Sequence, residues 1–401
     1  MSQAASVIPR EETLLPAGHP WTRLPAAGLG LGLVGLALLA IPAREDPQRA
    51  LAAWLVAFVY FLTLALGCLY FVLIHTAMQG AWGVVVRRVA ENAAGTLPLF
   101  ALLFLPLALG MGYLYPWSRP EAAADALLRW KRPYLNEAFF LLRAALYFVV
   151  WSAIALWFLL QSRRQDEAPS PKVAARLVRW SGPLLIPLGL THTFAAMDWL
   201  MSLEPHWYST IYGVYSFSGS LVAAFAFLSI ATVTLRRVGP VAGAFSAEHL
   251  HDLGKLLFAF TVFWAYIGFS QYFLIWYGNL PEETVFFRHR LEGSWQSATL
   301  LLAVGHFVAP FIFLLSRRTK RSPLALCVAS IWLLLMHLLD VYWLVIPSLH
   351  REAAGPGLAD VGALFAVGGG FVGTFGWLTR GHPVVPLGDP RLAESMAFEN
   401  V

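Results

Sequence analysis

The sequence predicts an all-α polytopic membrane protein with about ten transmembrane helices. Of its 401 residues, 58% are hydrophobic and only 13% are charged, and the mean hydropathy is +0.63. Apolar runs of roughly 20 residues, the length that crosses a hydrocarbon core, recur along the whole chain. The connections between these runs are too short to bury a water-soluble core, so we expect one polytopic helical domain.

Ten apolar runs define the predicted spans. They cover residues 24–41, 51–77, 93–113, 137–160, 180–201, 212–235, 252–278, 296–316, 323–347 and 358–379. Residues 1–23 are polar and contain prolines, and no cleavage pattern follows the first run, so we expect that run to be an uncleaved anchor. Together the spans make up a transmembrane domain over residues 24–379.

The basic residues predict the orientation. Lys and Arg are concentrated in the N-terminal segment, in the even-numbered connections and in the tail. The positive-inside rule therefore predicts that segment 1–23 and tail 380–401 are both cytoplasmic. This bias also accounts for the net charge of +5, so we expect contact with membrane lipid and no nucleic-acid partner.

Two glycine-rich stretches lie inside spans. The glycines between Gly28 and Gly35 spell GxGxxG, but neither a strand nor a ribose-binding acid accompanies them. Small residues in an apolar run favour close helix packing in lipid, and we expect the same role for the stretch from Gly368 to Gly373.

Redox centres bound by the chain itself are not expected. Cys68 and Cys327 both lie within spans, which excludes the CxxCH haem motif and a cysteine-ligated iron-sulphur cluster. No span has the paired histidines of a bis-histidine haem. The deep histidines are scattered singly, so we expect no metal site.

The fifth span ends in an unusually polar stretch, THTFAAMDWLMSLEPHWYSTIYG, at residues 191–213. At about 1.5 Å per residue, His192 lies just beyond the midplane and Asp198 lies nearer the outer surface, on neighbouring stripes of one helix. Trp199 and Trp207 are expected to anchor the interface.

The ninth span carries His337 and Asp340 on one face, and the fourth carries Arg143. An ionisable group inside a membrane is costly, so we expect His192, Asp198, His337, Asp340 and Arg143 to meet in the outer half as a proton-transfer or quinol site. Simple neutralisation of one aspartate by Arg143 remains an alternative.

A proton pathway is the second predicted feature. Its candidates are a cytoplasmic group and residues deeper in the seventh and eighth spans, namely His251, Asp252, Lys255, Tyr266, Ser270 and His306. The alternatives are solvation of the cytoplasmic group at the headgroup boundary and an ordinary interhelical hydrogen bond for His306, as for His75.

Oxidation of a quinol releases two electrons and two protons, so its site needs an apolar slot, a base near the hydroxyls and an electron acceptor. Candidate quinone contacts are Trp199, Gln271 and Tyr277, although the aromatic residues of such a chain serve mainly as core and interface material. The chain offers no acceptor. Redox chemistry would therefore need an electron-carrying partner.

Three long motifs carry a resemblance to a known family. They are AMDWLMSLEPHWYSTIYGVY at 196–215, FSQYFLIWYGNLPEET at 269–284 and HLLDVYWLVIP at 337–347. These motifs resemble the NrfD/polysulphide-reductase-like membrane family, in particular the ActF-type subunits of bacterial alternative complex III, a quinol:cytochrome c oxidoreductase. The resemblance extends over roughly residues 50 to 380.

The resemblance implies two four-helix bundles, here spans two to five and six to nine, plus an extra helix pair. It also implies a bacterial cytoplasmic membrane and partners that include a related NrfD-like subunit (ActC), an iron-sulphur subunit (ActB) and multihaem cytochromes c. The implied substrate is menaquinol or ubiquinol.

Three functions fit this sequence. The first, which we favour, is an electron-transfer-complex subunit that handles protons and quinol at the outer face. The second is a proton-conducting scaffold subunit without a quinone site. The third is a secondary transporter, although matching pairs of Gly/Pro-broken spans are not evident.

Overall fold

A computed structural model describes residues 8–237, 240–350 and 355–399. These residues form helices and connections without a β-strand, and ten of the helices are long and apolar enough to cross a membrane. We label them α1 to α10: Leu24–Glu45, Pro47–Met78, Val84–Leu109, Glu137–Glu167, Pro171–Trp199, Tyr212–Arg237, Ala247–Gly278, Trp295–Leu315, Pro323–Leu349 and Leu358–Thr379. The predicted fold class is confirmed.

Two bundles and a helix pair make up the described structure. Helices α2 to α5 pack together, as do α6 to α9, and the two bundles meet through α2 and α6. Both of these central helices are almost wholly buried, whereas α1 is mostly exposed along its length. Helices α1 and α10 pack along each other and against α2.

Glycines determine how closely α1 and α10 approach. A Cβ on Gly28 would lie 2.4 Å from the backbone nitrogen of Gly373, and a Cβ on Gly35 would lie 2.2 Å from that of Ala366. Only residues without a side chain allow this backbone contact. The packing interpretation of both glycine stretches is confirmed.

Several helix boundaries differ from the prediction. The third span begins at Val84 instead of residue 93, and it continues as the short helices Leu97–Leu103 and Leu105–Leu109, each with a proline in its first turn. Proline lacks the N–H of a helical hydrogen bond and so divides the span. The fifth span begins at Pro171, nine residues before the predicted start at residue 180.

Both described chain ends pack on the same side of the bundles, which we call the tail face. The backbone N–H of Val384 donates to the carbonyl of Thr13 at 3.1 Å, and the Ser395 hydroxyl donates to the carbonyl of Trp82 at 3.0 Å. The other side is the far face. An even number of spans requires this common side, and its assignment to the cytoplasm stays a prediction of the positive-inside rule.

Arg87 and Arg88 do not lie in the connection before the third span, where the predicted boundaries place them. Both are in the first turns of α3 and are buried. Arg88 donates to Glu91 at 3.0 Å and to Asp166 at 2.7 Å, while Arg87 pairs with Asp389 of the tail at 2.7 Å. A buried arginine needs such charged partners. Because Asp389 belongs to the tail, the network also ties the tail to the first bundle.

Arg290 anchors the far face in a similar way. It is fully buried, and it donates to Glu204 at 2.8 Å and to the carbonyls of Trp343 and Leu344. Burial alone would raise the pKa of Glu204, but the charge and hydrogen bonds of Arg290 outweigh burial and lower that pKa below its ordinary value. This pair joins the loop after α5 to α9.

Trp199 and Trp207 are not interfacial anchors, contrary to the sequence prediction. Trp199 is buried and stacks on Phe148 with ring centroids 5.5 Å apart. Trp207 is also buried and stacks on Phe286 at 4.0 Å. Both indole rings pack against other aromatic rings inside the protein and do not lie at the membrane surface.

Candidate functional site

The polar site is built around the crossing of α2 and α6. A Cβ on Gly67 of α2 would lie 2.0 Å from the carbonyl oxygen of Ser220 of α6, so the two backbones touch there. Thr63 and Tyr70 lie about one helical turn on either side of Gly67. Their hydroxyls face opposite bundles, and each contacts one of the deep histidines described below.

Asp340 of α9 lies at the centre of the second bundle's polar cluster. Its side chain is almost fully buried, accepts a hydrogen bond from the Tyr215 hydroxyl and accepts a second from Trp264 Nε1 at 3.0 Å. No cationic side chain pairs with this carboxylate within the described residues. Neutral donors alone therefore hold a carboxyl group in the interior.

His337 lies one turn before Asp340 on α9. Its Nε2 is 2.9 Å from the Thr63 hydroxyl, and its buried Nδ1 has no hydrogen-bond partner in the described structure. A Cβ at Gly219 of α6 would lie 3.3 Å from that Nδ1 and 3.8 Å from Asp340 Oδ2. The His337 ring therefore packs directly against Gly219, and the Asp340 carboxyl group lies beside the same glycine.

His306 brings α8 into the same cluster. It lies in the π-helical segment Leu302–Val308, which interrupts α8, and its ring stacks on Trp264 with centroids 3.8 Å apart. Both ring nitrogens are buried without a hydrogen-bond partner among the described residues. Single π-helical turns occur frequently at functional sites because they rotate side chains out of the α-helical register. His306, Trp264, Asp340 and His337 together form what we call the Asp340 cluster.

Asp198 belongs to a separate cluster in the first bundle. Arg143 of α4 donates to both carboxylate oxygens, from Nε to Oδ2 at 2.8 Å and from Nη2 to Oδ1 at 2.9 Å. The Tyr147 hydroxyl adds a third bond at 2.7 Å. The guanidinium carbon of Arg143 also lies 3.8 Å from the centroid of the Tyr134 ring. The alternative that Arg143 neutralises an aspartate is the arrangement observed, and Asp198 is that aspartate.

His192 contacts neither aspartate directly. Its Nε2 is 3.0 Å from the Ser216 hydroxyl of α6, and its Nδ1 is 3.3 Å from the Tyr70 hydroxyl of α2. Ser216 directly follows Tyr215, whose hydroxyl donates to Asp340. Two adjacent residues of α6 therefore contact ionisable groups in different bundles. The single outer site expected from the sequence is therefore divided among three groups.

The two aspartates differ in their electrostatics. A bidentate guanidinium compensates the charge of the Asp198 carboxylate, and removal of either partner would leave an uncompensated charge in the interior. Asp340 has only neutral donors, so loss of its proton places a net charge within apolar surroundings. Because no cationic side chain pairs with Asp340 among the described residues, this carboxyl group can take up and release a proton. Asp340 is therefore the better candidate for proton transfer.

The predicted cytoplasmic group lies at the start of α7 on the tail face. Lys255 pairs with Asp252, and His251 is buried one residue before Asp252. Lys320, in the connection between α8 and α9, is buried and donates to the carbonyl of Leu314 at 2.6 Å. Burial and the charge of Lys255 lower the pKa of the Lys320 amine.

Ser330 lies between the tail-face group and the Asp340 cluster. It precedes His337 by seven residues on α9, which places both on one stripe at a separation of about 10 Å. Its hydroxyl group is fully buried and neither donates nor accepts a hydrogen bond within the described residues. Ser330 marks a polar position along the line from the tail face to His337.

Two predicted pathway residues and one predicted quinone contact lie away from the cluster. Tyr266 is 64% exposed and Tyr277 is 78% exposed on the apolar surface of α7, and Ser270 is half-buried. The structure does not bring these three side chains to the Asp340 cluster. Lipid or a partner subunit would contact such a surface.

The remaining predicted quinone contacts also lie apart from the cluster. Trp199 is enclosed by aromatic rings of the first bundle, including Phe58, Phe104 and Trp151. Gln271 is buried and accepts a hydrogen bond from the Ser209 hydroxyl at 3.0 Å. Neither side chain presents a free face to a quinone ring beside Asp340.

Several residues of the site were missed from the sequence, among them Tyr215, Trp264 and Thr63. They are ordinary residues of apolar helices, and only the folded structure shows that their polar atoms face ionisable groups. Only Tyr215 could have been noticed, because it is the last residue of the motif at 196–215.

Within the described residues, no group of three or more His, Cys, Asp or Glu side chains is placed to hold a metal ion. No known family model matches this chain, and no curated protein matches it either. The chemistry of the site therefore rests on its own residues and geometry.

Proposed function

We propose that this chain is a proton-handling membrane subunit of a bacterial respiratory quinol:cytochrome c oxidoreductase of the alternative complex III type. The sequence resemblance to ActF-type subunits supports the family, and the architecture of two bundles plus a helix pair is compatible with it. The observation that carries the proton role is the buried Asp340 carboxyl group, which has only neutral hydrogen-bond donors.

The Asp340 cluster has the parts that proton transfer needs. Asp340 and His337 are two titratable groups that meet at Gly219, and His306 is a third within the same packed cluster. A histidine ring nitrogen can donate or accept a hydrogen bond, and three ring nitrogens of these two histidines have no partner among the described residues. Ser330 and the tail-face group at His251, Asp252 and Lys255 continue the polar positions toward the other face.

Two observations favour proton handling over quinone binding in this chain. Aromatic rings enclose Trp199, and Tyr277 lies exposed on the outer surface of α7 away from the Asp340 cluster, so neither aromatic quinone contact presents its ring to that cluster. Quinol oxidation is then the task of the related NrfD-like subunit, ActC. The iron-sulphur subunit ActB and the cytochromes c accept the electrons of menaquinol or ubiquinol.

Purification from native membranes tests the assignment to a complex. A tag on the tail, which is packed on the tail face, should recover iron-sulphur and haem c absorbance together with quinol:cytochrome c activity. A chain that purifies alone and supports solute uptake after reconstitution would instead be a secondary transporter. That result would refute the proposal.

A further inference from the structure

A cavity of about 410 Å³ lies on the tail face, away from the Asp340 cluster. It is bordered by the end of α2, the end of α4, the start of α5 and the C-terminal segment near Asp389. Small-molecule sites are typically about 300 to 1,000 Å³, so this cavity is large enough for a ligand. None of the predicted functional residues lines it.

His75 is the buried polar group of this cavity. Its ring is held between aromatic side chains, with centroids 5.4 Å from Phe71 and 5.9 Å from Trp82. The side chain is only 6% exposed, and neither ring nitrogen has a hydrogen-bond partner among the described residues. One nitrogen of a neutral imidazole carries a hydrogen, so a buried donor in this wall lacks an acceptor.

The charged residues of the wall are mostly basic. Arg87, Arg179 and Arg391 line the cavity, and Asp389 is the one acidic side chain there within the described part of the chain. Arg87 is occupied by Glu91 and Asp389, whereas Arg179 and Arg391 form no ion pair in the described structure. The cavity is therefore positive and has two guanidinium groups available for a ligand.

We propose that this cavity binds a phosphate group, carried by an anionic lipid headgroup or by a free phosphate ion. Guanidinium groups bind phosphate oxygens in pairs of parallel hydrogen bonds, and the His75 N–H supplies a further donor. The cavity exceeds the size of a bare phosphate ion and leaves room for the glycerol of a headgroup. Its place at the tail face lies at the level expected for headgroups.

Binding to the purified full-length chain tests this proposal. The probes are phosphatidylglycerol, inorganic phosphate and the zwitterionic lipid phosphatidylcholine, and native mass spectrometry counts the bound molecules. The variants are His75→Phe, which keeps an aromatic ring against Phe71 and Trp82, and Arg391→Ala at a partly exposed position. Arg318→Ala, an exposed arginine elsewhere on the same face, is the matched control.

We expect saturable binding of phosphatidylglycerol, with an apparent dissociation constant about tenfold higher in His75→Phe and in Arg391→Ala, since each loses one charge-assisted or buried hydrogen bond. Arg318→Ala should bind as the unmodified chain does. The same pattern with inorganic phosphate would support the site and identify a free ion as its ligand. Absence of saturable binding by both anionic probes, or equal affinity in all variants, would overturn the proposal.

Discussion

Replacement of Arg143 by leucine should strongly destabilise the first bundle. The change removes two of the three hydrogen bonds to Asp198 and leaves the carboxylate with the Tyr147 hydroxyl alone. Breaking a buried pair by removal of one partner costs about 3 to 5 kcal/mol. Arg143→Leu should therefore lower the free energy of unfolding by an amount in this range.

The reverse change should cost less. In Asp198→Asn the arginine keeps its bond to the carbonyl of Tyr134 at 3.0 Å and its contact with the Phe139 ring. The double variant, Arg143→Leu with Asp198→Asn, should be more stable than Arg143→Leu alone, because an amide replaces the unpaired charge. We expect a coupling energy of about 2 to 3 kcal/mol between the two positions.

Equilibrium unfolding in mixed detergent micelles, followed by helical circular dichroism, measures these free energies. Arg288→Leu is the control, because the Arg288–Glu292 pair is largely exposed at 3.3 Å and should contribute little. Equal unfolding free energies for Arg143→Leu and Arg288→Leu would show that the Arg143–Asp198 pair does not stabilise the bundle. The same conclusion would follow if Asp198→Asn did not restore stability to Arg143→Leu.

Three further outcomes follow from the structure. The Glu204–Arg290 pair should be lost on acidification: the folded pKa of Glu204 lies below 4.5, so its stabilisation is present above pH 4.5 and disappears as the pH falls through the folded value. Thermal unfolding at a series of pH values should show this loss in the unmodified chain and not in Glu204→Gln. Gly219→Ala should displace the His337 ring, because its Cβ would lie 3.1 Å from the nearest ring carbon, and histidine NMR signals should shift without loss of helix. Thr63→Val should remove the partner of His337 Nε2 and cost about 1 kcal/mol in unfolding free energy, and an unchanged stability would show that this contact is weak.

The sequence was sufficient to predict the helical spans because hydrocarbon thickness dictates long apolar runs. Interruptions within spans were harder to predict. The π-helical turn around His306 and the breaks in α3 depend on local hydrogen bonding, which hydropathy does not report. Burial of charged residues near span ends was also not predicted: Arg87 pairs with Asp389, which is distant in sequence, and Lys320 donates to the carbonyl of Leu314.

The candidate site was predicted in part. Hydropathy and burial cost correctly singled out Asp198 and Asp340 as interior carboxyl groups, and both are almost fully buried. Their difference could not be predicted, because Arg143 lies at a depth compatible with either aspartate and only helix packing determines its choice. The contact of Tyr215 with Asp340 could not be predicted either, because it depends on how α6 packs against α9.

Proton release during quinol oxidation by the purified complex, reconstituted in vesicles, tests the role of Asp340 most directly. Asp340→Asn keeps the size of the side chain and an acceptor for Trp264 but can no longer ionise. Asp125→Asn, at the surface, is the control and retains its helix cap. We expect Asp340→Asn to lose most proton release while the control is unaffected. Full proton release and turnover in Asp340→Asn, with the helical content unchanged, would contradict it.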